Sequence, residues 1–277
     1  MKTASPLLSS LIALSTVLLV WLVAVQVVRN PKLVPSPALV ITKSLSAFSR
    51  HEPDLSETPL NGLGVLILHT GVTLRRILLG ASAGIMAGIL CGFVVYSFGW
   101  LEKTGRVVVL VLRSIPLLAL IPLFVYWFGG KESGIYLYIA FGCFVIMATV
   151  TLEAALHLAR QWLEMSAIYQ ASRLTFVRTI VLPAVLPQVL TGLRGALGLS
   201  WAFALGAEYL VARSGLGFLC SSSYMYADMG RLACLLMLYG ALGLATFESL
   251  KFLDAWLCPW TRFSTEYNSN TELAIEH

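Results

Sequence analysis

Charge is scarce in this chain: of 277 residues only 12% are charged, while 58% are hydrophobic. A water-facing globule of that size has no interior large enough to hide so much apolar surface, which excludes a soluble single-domain protein. A Gly-x-x-x-x-Gly-Lys-Ser/Thr phosphate loop is missing, so the chain has no nucleotide site of that kind. It also lacks a nucleophile, base and acid set and any metal-ligand spacing, and His51, His69, His157 and His277 are scattered. The chain is therefore not read as an enzyme. Its cysteines, Cys91, Cys143, Cys220, Cys234 and Cys258, are odd in number and lie mostly within apolar runs. They read as small apolar fillers and not as a disulfide framework.

Long hydrophobic runs are abundant. Six are long enough to cross about 30 Å of hydrocarbon as helices of about 20 residues: roughly Leu7 to Val28, Val72 to Phe98, Val107 to Phe128, Ile135 to Leu156, Val189 to Val211 and Leu232 to Leu253. They are continuous and not alternating, and a helix satisfies its own backbone in lipid, so an all-α membrane bundle is expected over a barrel. The first run follows Lys2 as a signal peptide would. It is too long for a secretory core and no small-x-small site follows, so it is retained as a span.

The formal charge of +5 suits an anionic membrane surface or solute, and equally the ordinary basic loops of an inner-membrane protein. No nucleic-acid partner is expected. With the amino terminus inside, inner segments carry Lys2, Lys103, Arg106, Arg160, Arg173, Arg178 and Arg262; outer ones carry Arg29, Lys32, Lys43, Arg50, Lys131 and Arg213. That balance does not orient the chain. Between Asn30 and Asn61 five prolines surround an expected short amphipathic helix, Ala38 to Phe48, which reads as an interfacial element. The polar tail after Pro259 is expected to be poorly ordered.

Within the second run, Gly80, Gly84, Gly88 and Gly92 recur every four residues. They form one bare ridge that lets another helix approach closely. The fifth run carries Gly192, Gly195, Gly198, Ala202 and Gly206 at mixed spacing. Pro116 and Pro122 interrupt the third run, each removing a backbone donor; the bend is either purely structural or part of a pathway wall. Charges inside spans are costly. Arg113, beside Ser114, and Arg194 fall about 9 and 10 Å into their runs and Glu248 comes near that depth. These three read as a brace or as solute contacts. Glu208 is expected at the outer boundary as a vestibule wall or in solvent, and Arg75 and Arg76 are expected to snorkel outward.

Between the fourth and fifth runs, residues 160 to 179 mix Arg160, Glu164, Arg173 and Arg178 with Trp162, Leu163, Ile168, Leu174, Phe176 and Val177. A short helix with one apolar face must bury it against the membrane, its own bundle or a partner. Pro183 and Pro187 follow, the latter suited to a first helical turn.

Glu164, Ala167, Ala171, Leu182-Pro183, Leu186-Pro187 and Thr191-Gly192-Leu193-Arg194 resemble the signature loop of ABC importer inner-membrane permeases, more narrowly the nitrate/sulfonate/taurine/bicarbonate branch. Pro35-Ser-Pro37, Leu74 to Gly80, Arg113-Ser-Ile-Pro116, Ile121-Pro122-Leu123, Phe128-Gly129, Ala207-Glu208, Ser214-Gly-Leu-Gly217 and Pro259-Trp260 agree in order. The similarity spans essentially all but the tail. The chain departs from the pattern at Glu164-Met165-Ser166, where Glu-Ala-Ala is usual, and at Gln170, where glycine is usual; glutamine adds bulk where glycine permits close approach.

The resemblance implies a type I importer permease bundle with a coupling helix within 160–186, in a core of 66–258. Residues 1–29 would form the first span, 30–65 a periplasmic or interfacial segment and 259–277 a cytoplasmic tail. It further implies a bacterial inner-membrane location with both termini cytoplasmic. Its partners would be a second permease subunit, two ATPase subunits coupled through Glu164, Met165, Ser166, Ala167, Gln170, Ala171, Pro183 and Pro187, and a periplasmic binding protein. This chain would bind no cofactor, ATP and Mg being held by the ATPases. Competing readings are a permease of another ABC branch and an ATP-independent channel or secondary carrier.

Overall fold

The chain's computed structural model describes residues 6–40, 42, 47, 48, 61–168, 179 and 182–257. Among them every regular element is helical: α1 (Pro6–Val28), a single turn at Pro37–Leu39, α2 (Gly62–Ser97), α3 (Gly99–Ser114), a 3-10 turn (Leu117–Leu120), α4 (Ile121–Phe128), α5 (Glu132–Ile168), α6 (Leu182–Val211), α7 (Leu216–Met225) and α8 (Met229–Leu257). Helix α2 starts at Gly62, ten residues before the expected Val72, and is capped by Asn61, whose side chain accepts from the Gly64 N–H at 2.9 Å. Gly129, at φ 65°, ends α4 in the left-handed conformation that glycine tolerates.

About six spans were expected, the third interrupted by prolines; among the described residues four helices are long and apolar enough to cross, or five if a broken pair counts as one. Gly62–Ser97, Glu132–His157, Leu182–Val211 and Met229–Leu250 are long and apolar enough to cross, whereas Trp100–Ser114 and Leu117–Phe128 meet at 84°. Pro116 cannot donate to the preceding turn, and the chain restarts there as a 3-10 turn capped by that proline. In α1, among the described residues, the apolar stretch is Ser15–Val28, tethered by Trp21 Nε1 donating to the Pro35 carbonyl at 3.1 Å. Of the expected helix Ala38 to Phe48, the turn Pro37–Leu39 is seen and Phe48 is buried; most of the remainder, like the tail after Leu257 and Cys258 with it, lies outside the described residues.

The glycine ridge of α2 does what its spacing suggests. A Cβ on Gly80 would stand 2.9 Å from the Tyr136 carbonyl, on Gly88 2.7 Å from Met147 Cβ and on Gly92 2.7 Å from Thr151 Cβ. On Gly84 it would collide with the Ala140 backbone. Helix α5 thus lies directly on α2, backbone against backbone, which is how packing drives association in lipid. Along its other flank α5 meets α6, where Gly192 faces Val150 and Gly142 faces Phe203. The glycines of α6 do not form one ridge: Gly206 meets Ile121, but Gly195 and Gly198 face open space. Ile139, Cys143, Met147, Ala196 and Ala204 fill the core between α2, α5 and α6.

Candidate functional site

His69, Thr73 and Arg76 extend the glycine stripe of α2 toward its N-terminus at the same helical spacing, and they too are buried, His69 and Thr73 against the start of α7 and Arg76 between Glu132 and Glu208. Arg76 is 1% exposed and does not snorkel as expected; only its neighbour Arg75 is exposed. A guanidinium carries five N–H donors, and all are used. Nε donates to Glu132 Oε2 at 2.9 Å and Nη2 to Glu132 Oε1. Nη1 donates to Glu208 Oε1 at 2.8 Å and to the Ser214 carbonyl at 2.7 Å, and Nη2 to Ser214 Oγ at 3.1 Å.

Glu208 is neither a vestibule wall nor solvated: it is wholly buried. Its Oε2 accepts from Thr73 Oγ1 and from the Gly217 N–H, both at 2.9 Å. Thr73 Oγ1 in turn accepts from the Leu216 N–H at 2.8 Å, and His69 Nδ1 from the Gly215 N–H at 2.9 Å. Helix α7 opens with backbone donors that its own turns cannot satisfy. Side chains of α2 and α6 satisfy them, and a carboxylate at this positive end is electrostatically favourable. Gly215, at φ 101°, leaves no room for a Cβ beside the Glu208 carboxylate, and at Gly217 a Cβ would come 2.6 Å from Glu208 Cβ. The cluster therefore clamps α2, α5, α6 and α7 together at one end of the bundle. Ala207-Glu208 and Ser214 to Gly217 were legible as motifs; that Arg76 joins them was signalled only by the continued stripe.

Along α5, Glu153 lies about 31 Å from Glu132, close to the thickness of a hydrocarbon core. There Arg113 Nη1 meets Glu153 Oε1 at 3.1 Å, with both side chains more than half exposed. The carboxylate beside Arg113 is thus Glu153, a residue not singled out in the sequence, and not Glu248. The Ser114 hydroxyl donates to the Leu110 carbonyl at 2.9 Å. Arg194 sits over the Phe247 ring at 6.0 Å, beside Glu248, which is exposed. Beyond His157, α5 does not yield to a loop at Arg160 but continues to Ile168. Glu164, Met165, Ser166 and Ala167 stand on that continued helix, while Gln170 and Ala171 lie outside the described residues. Pro183 falls in the first turn of α6, and Pro187 lies inside the helix, whose start precedes the expected Val189. An apolar cleft of about 720 Å³ runs between the 3-10 turn, α4, α6 and α8, lined by residues including Leu118, Ile121, Gly206, Tyr209 and Leu232. Among the described residues no group of three or more His, Cys, Asp or Glu side chains is placed to hold a metal.

Helices too apolar for water, packed through bare backbone and clamped at one end by buried charge, define an integral membrane protein without a catalytic centre among its described residues. The chain belongs to the family of binding-protein-dependent transport system inner membrane components, whose model matches residues 84–262. It is 28% identical over 239 residues to the putative aliphatic sulfonates transport permease protein SsuC of Escherichia coli, covering 86% of this chain and 85% of that one. Similarity to the taurine transport system permease protein TauC of the same organism is 27%, covering 87% and 84%. The formylaminopyrimidine transport permease protein ThiX of Halalkalibacterium halodurans is 27% identical, with 88% and 92% covered. Among solved structures, a chain of the inward-facing MetNI methionine ABC transporter superposes with a TM-score of 0.57 at 20% identity, covering 70% of this chain and 95% of that one. This last likeness concerns the fold.

Proposed function

We propose that this chain is the permease subunit of an ATP-driven importer for a small organic anion of the sulfonate or taurine kind, working in the bacterial inner membrane. The observation that carries the mechanism is the continuity of α5. One unbroken helix joins Glu132, held in the Arg76 clamp, to Glu164 about 48 Å away. A rigid element of that length transmits displacement at one end to the other, as switching between two bundle states requires.

In this reading two cytoplasmic ATPase subunits grip the region from Glu164 to Ala171, holding ATP and Mg themselves. A periplasmic binding protein delivers solute to the face carrying Glu132 and Glu208. A second permease subunit, identical or homologous, completes the pathway, and both termini lie in the cytoplasm. The break at Pro116 and the apolar cleft beside it supply a wall able to move between α4 and α6. A ring-bearing solute of the formylaminopyrimidine kind is the second reading, favoured by the coverage shared with ThiX.

The test is ATP hydrolysis by the reconstituted assembly with its binding protein and candidate solutes. Deleting Glu164, or replacing Gln170→Arg, is expected to abolish solute-stimulated turnover while the chain stays monodisperse. Unchanged turnover, or transport by vesicles holding this chain alone, would overturn the reading. Stimulation by a pyrimidine and not by sulfonates would select the second solute class.

A further inference from the structure

Helix α3 has three faces. Leu101, Gly105, Val109 and Leu112 pack inward, Gly105 lying against Val95 of α2. A second stripe, Trp100, Val107 and Val111, is 77%, 59% and 56% exposed. Between these two runs a cationic edge, Lys103, Arg106 and Arg113, all exposed. Apolar and cationic stripes side by side are the pattern of a helix lying in a membrane interface.

Its placement agrees. Helix α4 runs along the start of α5, Phe124 against Tyr138 and Phe128 beside Gly134. Trp100–Ser114 leaves that direction at 84°, so α3 lies across α5. The crossing level is that of Glu153, a hydrocarbon thickness from Glu132. Two acidic groups stand near the cationic edge. Glu102 occupies the first turn of α3, where a carboxylate suits the helix N-terminus, and Glu153 is neutralised by Arg113. No ion pair engages Lys103 or Arg106 among the described residues. Beside Arg106 a hollow of about 110 Å³ opens between α3 and α5, walled by Val109, Leu110 and Leu152. Its wall is mixed: Leu156 adds to the apolar side, Thr149 is polar, and the charged groups are Arg106 and Glu153, the latter already paired with Arg113.

We propose that α3 is an interfacial helix on the inner leaflet whose Lys103 and Arg106 hold the headgroup of an anionic phospholipid, with the acyl chains along Trp100, Val107 and Val111. The proposal rests on the permease reading only for which leaflet is involved. Basic clusters of this kind gain about 1 kcal/mol, or about fivefold, per cation.

The experiment is native mass spectrometry of the full chain with phosphatidylglycerol against phosphatidylcholine. The wild type is expected to retain phosphatidylglycerol preferentially. Lys103→Gln and Arg106→Gln should each weaken that preference about fivefold, Arg106→Lys should keep it, and Lys131→Gln at the opposite end should not change it. Equal retention of the two lipids by the wild type, or full preference in the Lys103→Gln/Arg106→Gln double variant, would overturn it. If the double variant does not fold, brominated lipids decide. Brominated phosphatidylglycerol should quench the fluorescence contributed by Trp100, read as the difference from Trp100→Phe, more than brominated phosphatidylcholine does; equal quenching rejects the site. Neither measurement uses solute, ATP or partners, so failure here leaves the transport assignment standing, and the reverse holds equally.

Discussion

Arg76 Nη1 lies 2.8 Å from Glu208 Oε1, with both side chains essentially inaccessible to solvent. The two residues are far apart in sequence, on α2 and α6, and the bond between them also seats the first turn of α7. Buried ion pairs commonly add little net stability, because desolvation offsets attraction. Their effect is directional: a lone charge left behind is far worse than either the pair or an apolar replacement. The clamp therefore specifies one arrangement of four helices and penalises every other.

Replacing Arg76→Met should accordingly destabilise the folded chain by about 3–5 kcal/mol, since it leaves the buried Glu208 carboxylate without its cation. The Arg76→Met/Glu208→Leu double variant is expected to lose less than the sum of its single changes. Thermal inactivation in detergent, run as a double-mutant cycle, measures the coupling. Strict additivity would show that the pair does not act as a unit.

At the crossing of α2 and α5, Gly84→Ala drives a methyl group into the Ala140 backbone. Backbone cannot swing aside as a side chain can, so a loss of about 1–3 kcal/mol is expected. Gly71 lies on the same helix with nothing within 4 Å of an added Cβ. Gly71→Ala should be neutral or stabilising by up to about 1 kcal/mol. Melting curves of the two variants side by side provide the check.

For the turn into α7, Gly215→Ala carries two penalties at once: a φ of 101° that side chains rarely adopt, and a collision with the Glu208 carboxylate. The N-terminus of α7 should then come off its cap. Proteolysis between Ser214 and Leu219 in the purified variant should accelerate at least about tenfold, given a strain of about 1–3 kcal/mol added to the lost contacts. At Gly129, where φ is 65° but surrounding space is open, Gly129→Asn should be tolerated.

Arg113→Gln removes a pair whose members are both more than half exposed. Screening by water leaves such a pair worth about 0–1 kcal/mol, so the melting temperature should barely move. A large drop would mean that Arg113 has a buried role that its exposure does not show.

Membrane class, the α2 ridge and the break at Pro116 were all legible in the sequence, because each depends on composition or on spacing along a single helix. Four-residue glycine repeats have one physical outcome, a surface bare enough for another backbone, and a proline interrupts hydrogen bonding wherever it falls. The motif stretches around Glu208 and Gly215 were equally visible as strings of letters. Their partners were not. Counting apolar residues placed Glu208 at a water boundary and Arg76 among outward-snorkelling cations, since a one-dimensional depth scale has no knowledge of a helix arriving from the side.

Chain chemistry alone thus determined that these residues enter a bilayer as helices and which ridge of one helix another can approach. Tertiary structure alone decided which charges are buried, that Arg113 meets Glu153, and that α3 lies across α5 at 84° to the segment after it. The reason is physical: transfer into lipid is set residue by residue, whereas the environment of a charge is set by whatever other segments of the chain are folded against it.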